Sequence, residues 1–208
     1  MANSNTTVLT PGELDASAAP KIYVIHENEE WVLPLRAAFE RRGLPYAEIF
    51  LNEGLVDLDA VPPEGIYYNR MSASSHTRGH RYAVELTGPF IAWLESHGRK
   101  VINNRRALQL EVRKFEQYLA LKEQGIRVPE TIAANGKAQI LAAAAKLNQE
   151  PFILKPNRGG KGLGVTLFNT YNELEEWLNS NPEFDTLDGI VLVQEYIKEA
   201  GGADIRCL

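Results

Sequence analysis

The first hundred residues alternate short apolar runs with segments whose apolar residues recur at helical spacing. Four runs rich in β-branched and aromatic residues predict strands, at 21–26, 45–52, 65–70 and 100–103. Apolar residues recur at helical spacing over 31–42, and Gly43 gives that predicted helix its stop. A second helix is expected over 82–97, interrupted at Gly88-Pro89. Strands alternating with helices indicate an α/β unit with a parallel sheet over residues 21–102.

Beyond residue 102 the pattern changes to one in which two strands flank a loop. An apolar stripe over 105–124 predicts one long helix that ends at Gly125. The elements expected after it are an extended segment over 126–132 leading into a short strand, a helix over 136–148, strands over 152–155 and 165–168, a helix over 171–178, and a strand over 189–197. This order predicts a small α+β domain over 103–208, with helices to one side of its sheet.

The first 20 residues are small and polar and show little periodicity. We expect them to form a disordered leader that takes no part in the fold. They contain no Lys or Arg, so the positively charged start of a secretory signal peptide is absent.

Composition narrows the classes of protein to which the chain can belong. The 208 residues are 44% hydrophobic and 24% charged, which is typical of a soluble globular protein. The single cysteine, Cys207, excludes an intramolecular disulfide framework. A net charge of −5 argues against a dedicated nucleic-acid binder. The longest apolar run, 140–145, is far shorter than the ~20 residues that span a bilayer. We therefore expect a cytoplasmic protein without direct nucleic-acid or membrane partners.

The stretch that bears most directly on function is 152–168, FILKPNRGGKGLGVTLF. It combines glycines with cations: Lys155, Arg158, Gly159, Gly160, Lys161, Gly162 and Gly164. Glycines let backbone N–H groups approach phosphate oxygens, and the cations would neutralise them. Neither the P-loop nor the dinucleotide fingerprint fits, because both open a helix and this loop joins two strands. We expect a flap over nucleotide phosphates, with an exposed flexible hairpin as the alternative.

Two weaker signals lie on either side of this loop. The apolar strand over 191–197 (VLVQEYI) suits a hinge whose backbone reads an adenine edge, although a buried central strand is the simpler interpretation. Lys114 belongs to the segment 98–128, which holds eight Lys and Arg against three Glu. Such a concentration suits an anionic ligand, and a solvated helix face is the alternative.

Taken in chain order, four features resemble the ATP-grasp superfamily: Lys114, GIRVPET (125–131), FILKPNRGGKGLGV and VQEYIKEAGGADIRCL. Within that superfamily the chain resembles the glutamate-ligase branch that acts on ribosomal protein S6. The resemblance covers residues from about 103 onward, and YYNRMSASSHTRGH (67–80) is similar to the equivalent segment of that branch. It implies an α/β pre-ATP-grasp domain, a parallel sheet with helices, followed by a partial α+β ATP-grasp domain.

The resemblance also implies roles for individual residues. Lys114 and Lys155 would bind phosphates, and the phosphate flap would consist of Gly159, Gly160, Gly162 and Gly164, with Arg158 and Lys161 as auxiliary cations. Glu195 and Tyr196 would form the adenine hinge, and Asp204 would bind the ribose. Arg206 would have the catalytic role, near the acyl phosphate. One departure is Arg113, which precedes Lys114 where the family often has Asp.

The implied activity is that of an ATP-dependent carboxylate–amine ligase. A carboxylate is a poor acyl donor, since its leaving group would be oxide. Transfer of the γ-phosphoryl group gives an acyl phosphate, which an amine attacks to form an amide. Lysines, loop amides and Mg²⁺ or Mn²⁺ would neutralise the crowded negative charge. The implied partners are ATP, an acidic amino acid such as glutamate, and an acceptor peptide, protein tail or small molecule.

Other interpretations stay open at this point. The main alternative is an ATP-binding module without ligase activity, either regulatory or incomplete. A kinase is disfavoured because HRD and DFG triplets are absent. In the superfamily the metal ligands follow the ribose-binding segment, so we expect them beyond residue 208 and expect the chain alone to bind ATP weakly and not to ligate. The oligomeric state is left open, a homo-oligomer included.

Three arginines just past the third predicted strand are further candidates. Arg70, Arg78 and Arg81 follow GIYYN, and open α/β sheets bind ligands at the carboxyl ends of their strands. They could hold an acidic substrate, and exposed surface arginines are the alternative.

Overall fold

The computed structural model describes residues 8–160 and 162–198. The chain divides into two compact units between Val112 and Arg113. The strands are β1 Val8–Leu9, β2 Lys21–His26, β3 Tyr46–Phe50, β4 Gly65–Asn69, β5 Lys100–Ile102, β6 Thr131–Ala134, β7 Phe152–Pro156, β8 Thr166–Phe168 and β9 Val191–Glu195. The helices are α1 Leu33–Arg42, α2 Ala83–Ser96, α3 Arg105–Val112, α4 Lys114–Glu123, α5 Lys137–Leu147 and α6 Tyr171–Ser180. Within these described ranges, each helix is too short or too polar to cross a membrane.

The first unit is built on a parallel sheet, as its alternating pattern predicts. The strand order is β1-β3-β2-β4-β5, and every neighbouring pair runs parallel. Tyr23 and Tyr67 stack in its core with ring centroids 4.7 Å apart, and each is at most 1% exposed. Phe90 and Leu94 of α2 are fully buried in the same core, which shows that this helix covers one face of the sheet.

The N-terminal segment differs from the expected disordered leader in its described part, residues 8–20. Val8 and Leu9 form β1 and pair with Glu48 and Ile49 of β3. A 3₁₀ turn follows, and the backbone N–H and hydroxyl of Thr10 both donate to a carboxylate oxygen of Glu13. Sheet pairing of this edge strand therefore orders a segment whose composition alone indicates disorder.

The second helix also differs from expectation, because α2 runs through Gly88-Pro89 without interruption. Proline inside a helix loses one backbone hydrogen bond and crowds the preceding turn. Here Pro89 is exposed, whereas Thr87 before it and Phe90 after it are completely buried. Packing of the buried face thus outweighs the local cost of the proline.

The long helix expected over 105–124 is two helices, α3 and α4. Arg113 between them has extended backbone dihedrals, φ −115° and ψ 103°. The first two N–H groups of α4 donate instead to Asn157: Lys114 N to its backbone oxygen (3.1 Å) and Phe115 N to its side-chain oxygen (2.9 Å). Acceptors distant in sequence thus start a new helix where the apolar stripe predicts continuity.

The break also moves the boundary between the two units. Leu108 and Val112 of α3 are 6% and 5% exposed and belong to the core of the first unit. The sequence pattern placed the change of domain at residue 103, whereas the contacts of α3 place it after Val112.

The second unit contains an antiparallel sheet with strand order β6-β9-β7-β8. One face is apolar and packs against α5 and α6, with Phe152, Leu154 and Val193 at most 2% exposed. This is the α+β arrangement with helices to one side that the sequence predicts. The opposite face carries the polar residues described next.

Candidate functional site

The register of the second sheet gathers polar side chains on the face away from α5 and α6. Gln194 of β9 pairs with Ile153 of β7 on one side and with Thr131 of β6 on the other. Lys155 lies two residues beyond Ile153, so it shares the face of Gln194. The Lys155 Nζ donates to Gln194 Oε1 over 2.6 Å, and Gln194 Nε2 donates to Thr131 Oγ1 over 2.6 Å. These two hydrogen bonds link side chains on three neighbouring strands, with Lys155 at one end of the series.

Helix α4 supplies a second contact to Lys155. The Lys155 Nζ donates to the hydroxyl of Tyr118 over 2.7 Å, and the ammonium lies 5.1 Å from the centre of the same ring. Tyr118 follows Lys114 by one helical turn, so both side chains leave the same face of α4. Lys155 therefore contacts the face of α4 that also carries Lys114, although the two lysines are far apart in sequence.

Lys114 is also tied to the glycine-rich loop. Its Nζ donates to the backbone oxygen of Gly159 over 2.9 Å. Its backbone N–H is held by Asn157, whose side chain is 3% exposed and also donates to Asp188 Oδ2 over 2.7 Å. The two lysines predicted to bind phosphate and the predicted flap therefore lie together in this unit.

The local charges act on Tyr118. Burial raises the pKa of the phenol, but the hydrogen bonds from Lys155 and Gln194 and the charges of both lysines outweigh it, so its pKa lies below the ordinary value of 10.0. The phenol therefore lies in a positive field, which is the field that an anionic ligand needs.

The loop between β7 and β8 has the backbone geometry that its glycines predict. Gly162 and Gly164 have positive φ values of 70° and 74°, which L side chains rarely adopt. A Cβ on Gly164 would lie 2.9 Å from Pro156 Cγ, whereas one on Gly162 would have no neighbour within 4 Å. Gly164 therefore lies at the base of the loop, packed against Pro156, and we call it the packed base. Gly162 lies in the open turn of the loop.

The remaining predicted residues are placed as follows. Arg158 is 4% exposed, so its guanidinium is enclosed by protein. The Glu195 backbone N–H donates to Glu130 O (2.9 Å) and its carboxylate accepts from Glu130 N (3.0 Å), which ties the end of β9 to the start of β6. Tyr196 follows the strand and is 36% exposed. Lys161, Asp204 and Arg206 lie outside the described residues.

Three residues of this site were not singled out by the sequence: Tyr118, Gln194 and Asn157. Tyr118 had a usable signal, because it stands four residues after Lys114 on a predicted helix. Gln194 and Asn157 had none, since their roles depend on cross-strand register and on a helix start more than forty residues away in sequence.

The three arginines that could bind an acidic substrate lie in different environments in the structure. Arg78 donates to both carboxylate oxygens of Glu27, which is 1% exposed, and lies 4.8 Å from the centre of the Trp31 ring. Arg81 lies 5.5 Å from the centre of the Tyr82 ring. Arg78 is thus the partner of a buried carboxylate in the first unit.

Arg70 instead lines a cavity of about 380 Å³ in the first unit. The cavity lies at the carboxyl ends of β4 and β5, where Asn69 and Asn103 each donate a side-chain N–H to the other's backbone oxygen over 3.0 Å. Trp31 and Glu111 also line the cavity. Its place in the sheet is the one expected for a ligand of an open α/β fold.

Metal ligands are not grouped in the part of the chain that the structure describes. Among residues 8–160 and 162–198, the His, Cys, Asp and Glu side chains form no cluster of three that could hold a metal ion.

The curated relatives that the chain matches include probable alpha-L-glutamate ligases. A probable alpha-L-glutamate ligase of Saccharophagus degradans is 35% identical over 113 residues, which are 54% of this chain and 36% of the relative. One of Trichodesmium erythraeum is 29% identical over 175 residues, 83% of this chain and 52% of the relative. The chain thus spans between about a third and a half of the length of these relatives.

Solved structures show the same fold. A RimK domain ATP-grasp protein from Sphaerobacter thermophilus superposes with a TM-score of 0.62 at 22% identity, covering 86% of this chain and 64% of that one. A D-alanine–D-alanine ligase from Bacillus anthracis gives a TM-score of 0.56 at 22% identity, covering 86% and 58%. Residues 112–208 match the family model described as the RimK-like ATP-grasp domain.

Proposed function

We propose that residues 113–208 bind ATP for an ATP-dependent carboxylate–amine ligase of the glutamate-ligase kind. The convergence of Lys114, Lys155 and the glycine loop carries this proposal. Lys114 Nζ contacts Gly159 O over 2.9 Å, and Lys155 Nζ contacts Tyr118 OH over 2.7 Å on the same face of α4. Two ammonium groups beside a loop of backbone N–H donors provide the charge and the hydrogen bonds that a polyphosphate requires.

The reaction that we propose has two steps. A carboxylate oxygen attacks the γ-phosphorus, the bond from that phosphorus to the β–γ bridging oxygen breaks, and ADP leaves. An amine then attacks the acyl carbon, the bond from that carbon to the phosphate oxygen breaks, and the nitrogen loses a proton as the amide forms. Lys114 and Lys155 would neutralise phosphate oxygens in the first step, and the glycine loop would exclude water from the acyl phosphate.

Bound Mg²⁺ would neutralise further phosphate charge in this chemistry. The described residues offer it no cluster of three side-chain ligands, so we assign none of them to the metal. Adenine binding by Glu195 and Tyr196, phosphate binding by Arg158 and Lys161, ribose binding by Asp204 and catalysis by Arg206 are parts of the proposal that rest on the sequence resemblance.

Hydroxylamine trapping tests the ligase chemistry in the gene product that contains these residues. Hydroxylamine intercepts an acyl phosphate, so ATP, Mg²⁺, glutamate and hydroxylamine should give ADP and glutamyl hydroxamate in equal amounts. Lys155→Ala should lose this product, whereas Lys146→Ala, an exposed lysine on α5, should retain it. ADP release without hydroxamate, at a rate unaffected by glutamate, would refute an acyl-phosphate ligase.

We also propose that Arg70 holds a carboxylate of the acidic substrate. Of the three candidate arginines, Arg70 lines the cavity at the carboxyl ends of β4 and β5, whereas Arg78 is paired with Glu27. Arg70→Ala should raise the KM for glutamate in the same assay and leave the KM for ATP unchanged. Arg41→Ala, on the exposed surface of α1, is the matched control and should change neither constant. An unchanged KM for glutamate in Arg70→Ala would contradict this role.

A further inference from the structure

The phenol of Tyr118 contacts Lys155 and lies on the face of α4 that also carries Lys114. It accepts a hydrogen bond from Lys155 Nζ over 2.7 Å, and Lys114 occupies the same face of α4 one turn earlier. An aromatic residue that merely packed against the sheet would not need its hydroxyl at this point. The position of the hydroxyl oxygen therefore indicates a role for Tyr118 beyond packing.

The hydrogen bonds of Lys155 show what the hydroxyl does. An ammonium group has three N–H donors on a flexible stem, so its direction is ordinarily free. In this structure one donor goes to Tyr118 OH and another to Gln194 Oε1, at 2.7 and 2.6 Å. Two fixed acceptors determine the rotation of the group and hence the direction of its third N–H.

The second acceptor is itself immobilised. Gln194 is 4% exposed, and its Nε2 donates to Thr131 Oγ1 over 2.6 Å. Thr131 Oγ1 in turn donates to Pro129 O over 2.9 Å, just ahead of β6. Lys155 is therefore held from one side by a chain anchored in the sheet and from the other by a hydroxyl on α4.

We propose that Tyr118 is a positioning residue for Lys155: together with Gln194 it directs the ammonium toward the nucleotide phosphates before they bind. This inference rests on the proposed ATP site. A preorganised cation loses less conformational freedom on binding, so phosphate affinity rises without a new contact to the ligand. The Tyr118 hydroxyl, and not the ring, has this role, and it affects nucleotide binding only by orienting Lys155.

Tyr118→Phe removes that hydroxyl and keeps the ring. We expect it to weaken ATP and ADP binding about three- to tenfold, the range for one hydrogen bond. Adenosine binding should not change, because adenosine has no phosphate for Lys155 to contact. Tyr171→Phe, on α6 of the same unit, is the matched control and should bind all three ligands as the unsubstituted chain does.

A double-mutant cycle with Lys155→Ala separates positioning from direct contact. If Tyr118 acts through Lys155, then Tyr118→Phe should have no further effect on ATP affinity once Lys155 is alanine. The same loss of affinity in the Lys155→Ala background would overturn the proposal, because the hydroxyl would then act on the nucleotide itself. Unchanged ATP affinity in the Tyr118→Phe single variant would overturn it as well.

A measurement made without nucleotide tests the contact between Tyr118 and Lys155 separately from the proposal that this unit binds ATP. Phenol titration by NMR should give Tyr118 a pKa below its ordinary value, and Lys155→Ala should raise it, because Lys155 helps to lower it. If the pKa of Tyr118 is the same in both chains, the contact is absent and the positioning role is refuted. If the unsubstituted chain shows the pKa effect but binds no ATP, the proposed function and the positioning role that rests on it both fail, although the contact exists.

Discussion

Individual charged residues in the interior of the first unit are stabilised by partners from other elements. Glu48 is completely buried in β3, accepts hydrogen bonds from Arg36 Nε and Nη2 at 2.5 and 2.7 Å, and lies 3.1 Å from His26 Nε2. Burial raises the pKa of this carboxyl, but Arg36 and His26 outweigh it and bring the pKa to about 2. The sequence shows an acidic residue within an apolar run, YAEIF, but a pattern of residue types does not identify the partners that make its burial tolerable.

Glu48→Gln tests this ion pair through the pH dependence of stability. A carboxyl whose folded pKa lies below its unfolded value of 4.5 stabilises the fold above that value, and the contribution is lost as the pH falls from 4.5 toward 2. We expect the substitution to lower the free energy of unfolding by about 3 kcal/mol at pH 7, because it leaves Arg36 without its buried partner. The difference from the unsubstituted chain should shrink as the pH falls through that window.

Glu30→Gln, at an exposed position of the same unit, is the control and should show no such pH dependence. Chemical denaturation across the pH range measures both variants. A destabilisation by Glu48→Gln that stays constant from pH 7 to pH 2 would contradict the account.

At the scale of elements, strands and the glycine loop follow from local sequence, whereas the junctions between elements do not. The runs around β2, β4 and β7 predict those strands, and the glycines near Gly164 predict the loop. The break at Arg113 was missed because Asn157, distant in sequence, supplies the acceptors that begin α4. Local pattern cannot show an acceptor that only the tertiary fold brings into place.

Asn157→Ala tests whether that junction serves the nucleotide site. The substitution removes the side-chain acceptor of Phe115 N and the donor to Asp188, so we expect a loss of about 1–2 kcal/mol in unfolding free energy. It should also weaken ATP binding, because Lys114 is the first residue of α4. Thr170→Ala removes the comparable cap of α6, where Thr170 Oγ1 accepts from Glu173 N over 3.2 Å.

Unfolding and ATP titration of both variants separate stability from function. We expect Thr170→Ala to lose a similar amount of stability and to keep its ATP affinity. Equal ATP affinities in the two variants would show that the cap at Asn157 has no bearing on the phosphate site.

The loop itself can be probed by two alanine substitutions. Gly162→Ala and Gly164→Ala both force alanine to a positive φ, at a cost of about 1 kcal/mol each. Gly164→Ala adds a clash, since its Cβ would lie 2.9 Å from Pro156 Cγ, so we expect it to reduce ATP affinity more. A larger loss of ATP affinity in Gly162→Ala would contradict the assignment of Gly164 as the packed base.

For the whole molecule, the sequence predicts two units of different architecture, and the structure has a parallel sheet followed by an antiparallel one. The boundary moved to Val112 because α3 packs into the first core, a contact that periodicity cannot reveal. The N-terminal strand β1 was missed for a similar reason, because sheet pairing orders residues whose composition is that of a disordered segment.

The central claim is that the second unit contains an ATP phosphate site built on Lys155, and calorimetric titration of ATP tests it most directly. The titration compares the 208-residue chain, its Lys155→Ala variant and the exposed-lysine control Lys146→Ala. We predict binding by the unsubstituted chain and by Lys146→Ala, and affinity lower by about tenfold or more in Lys155→Ala, the range for a hydrogen bond to a charged group. Equal ATP affinity of Lys155→Ala and the unsubstituted chain would contradict the account.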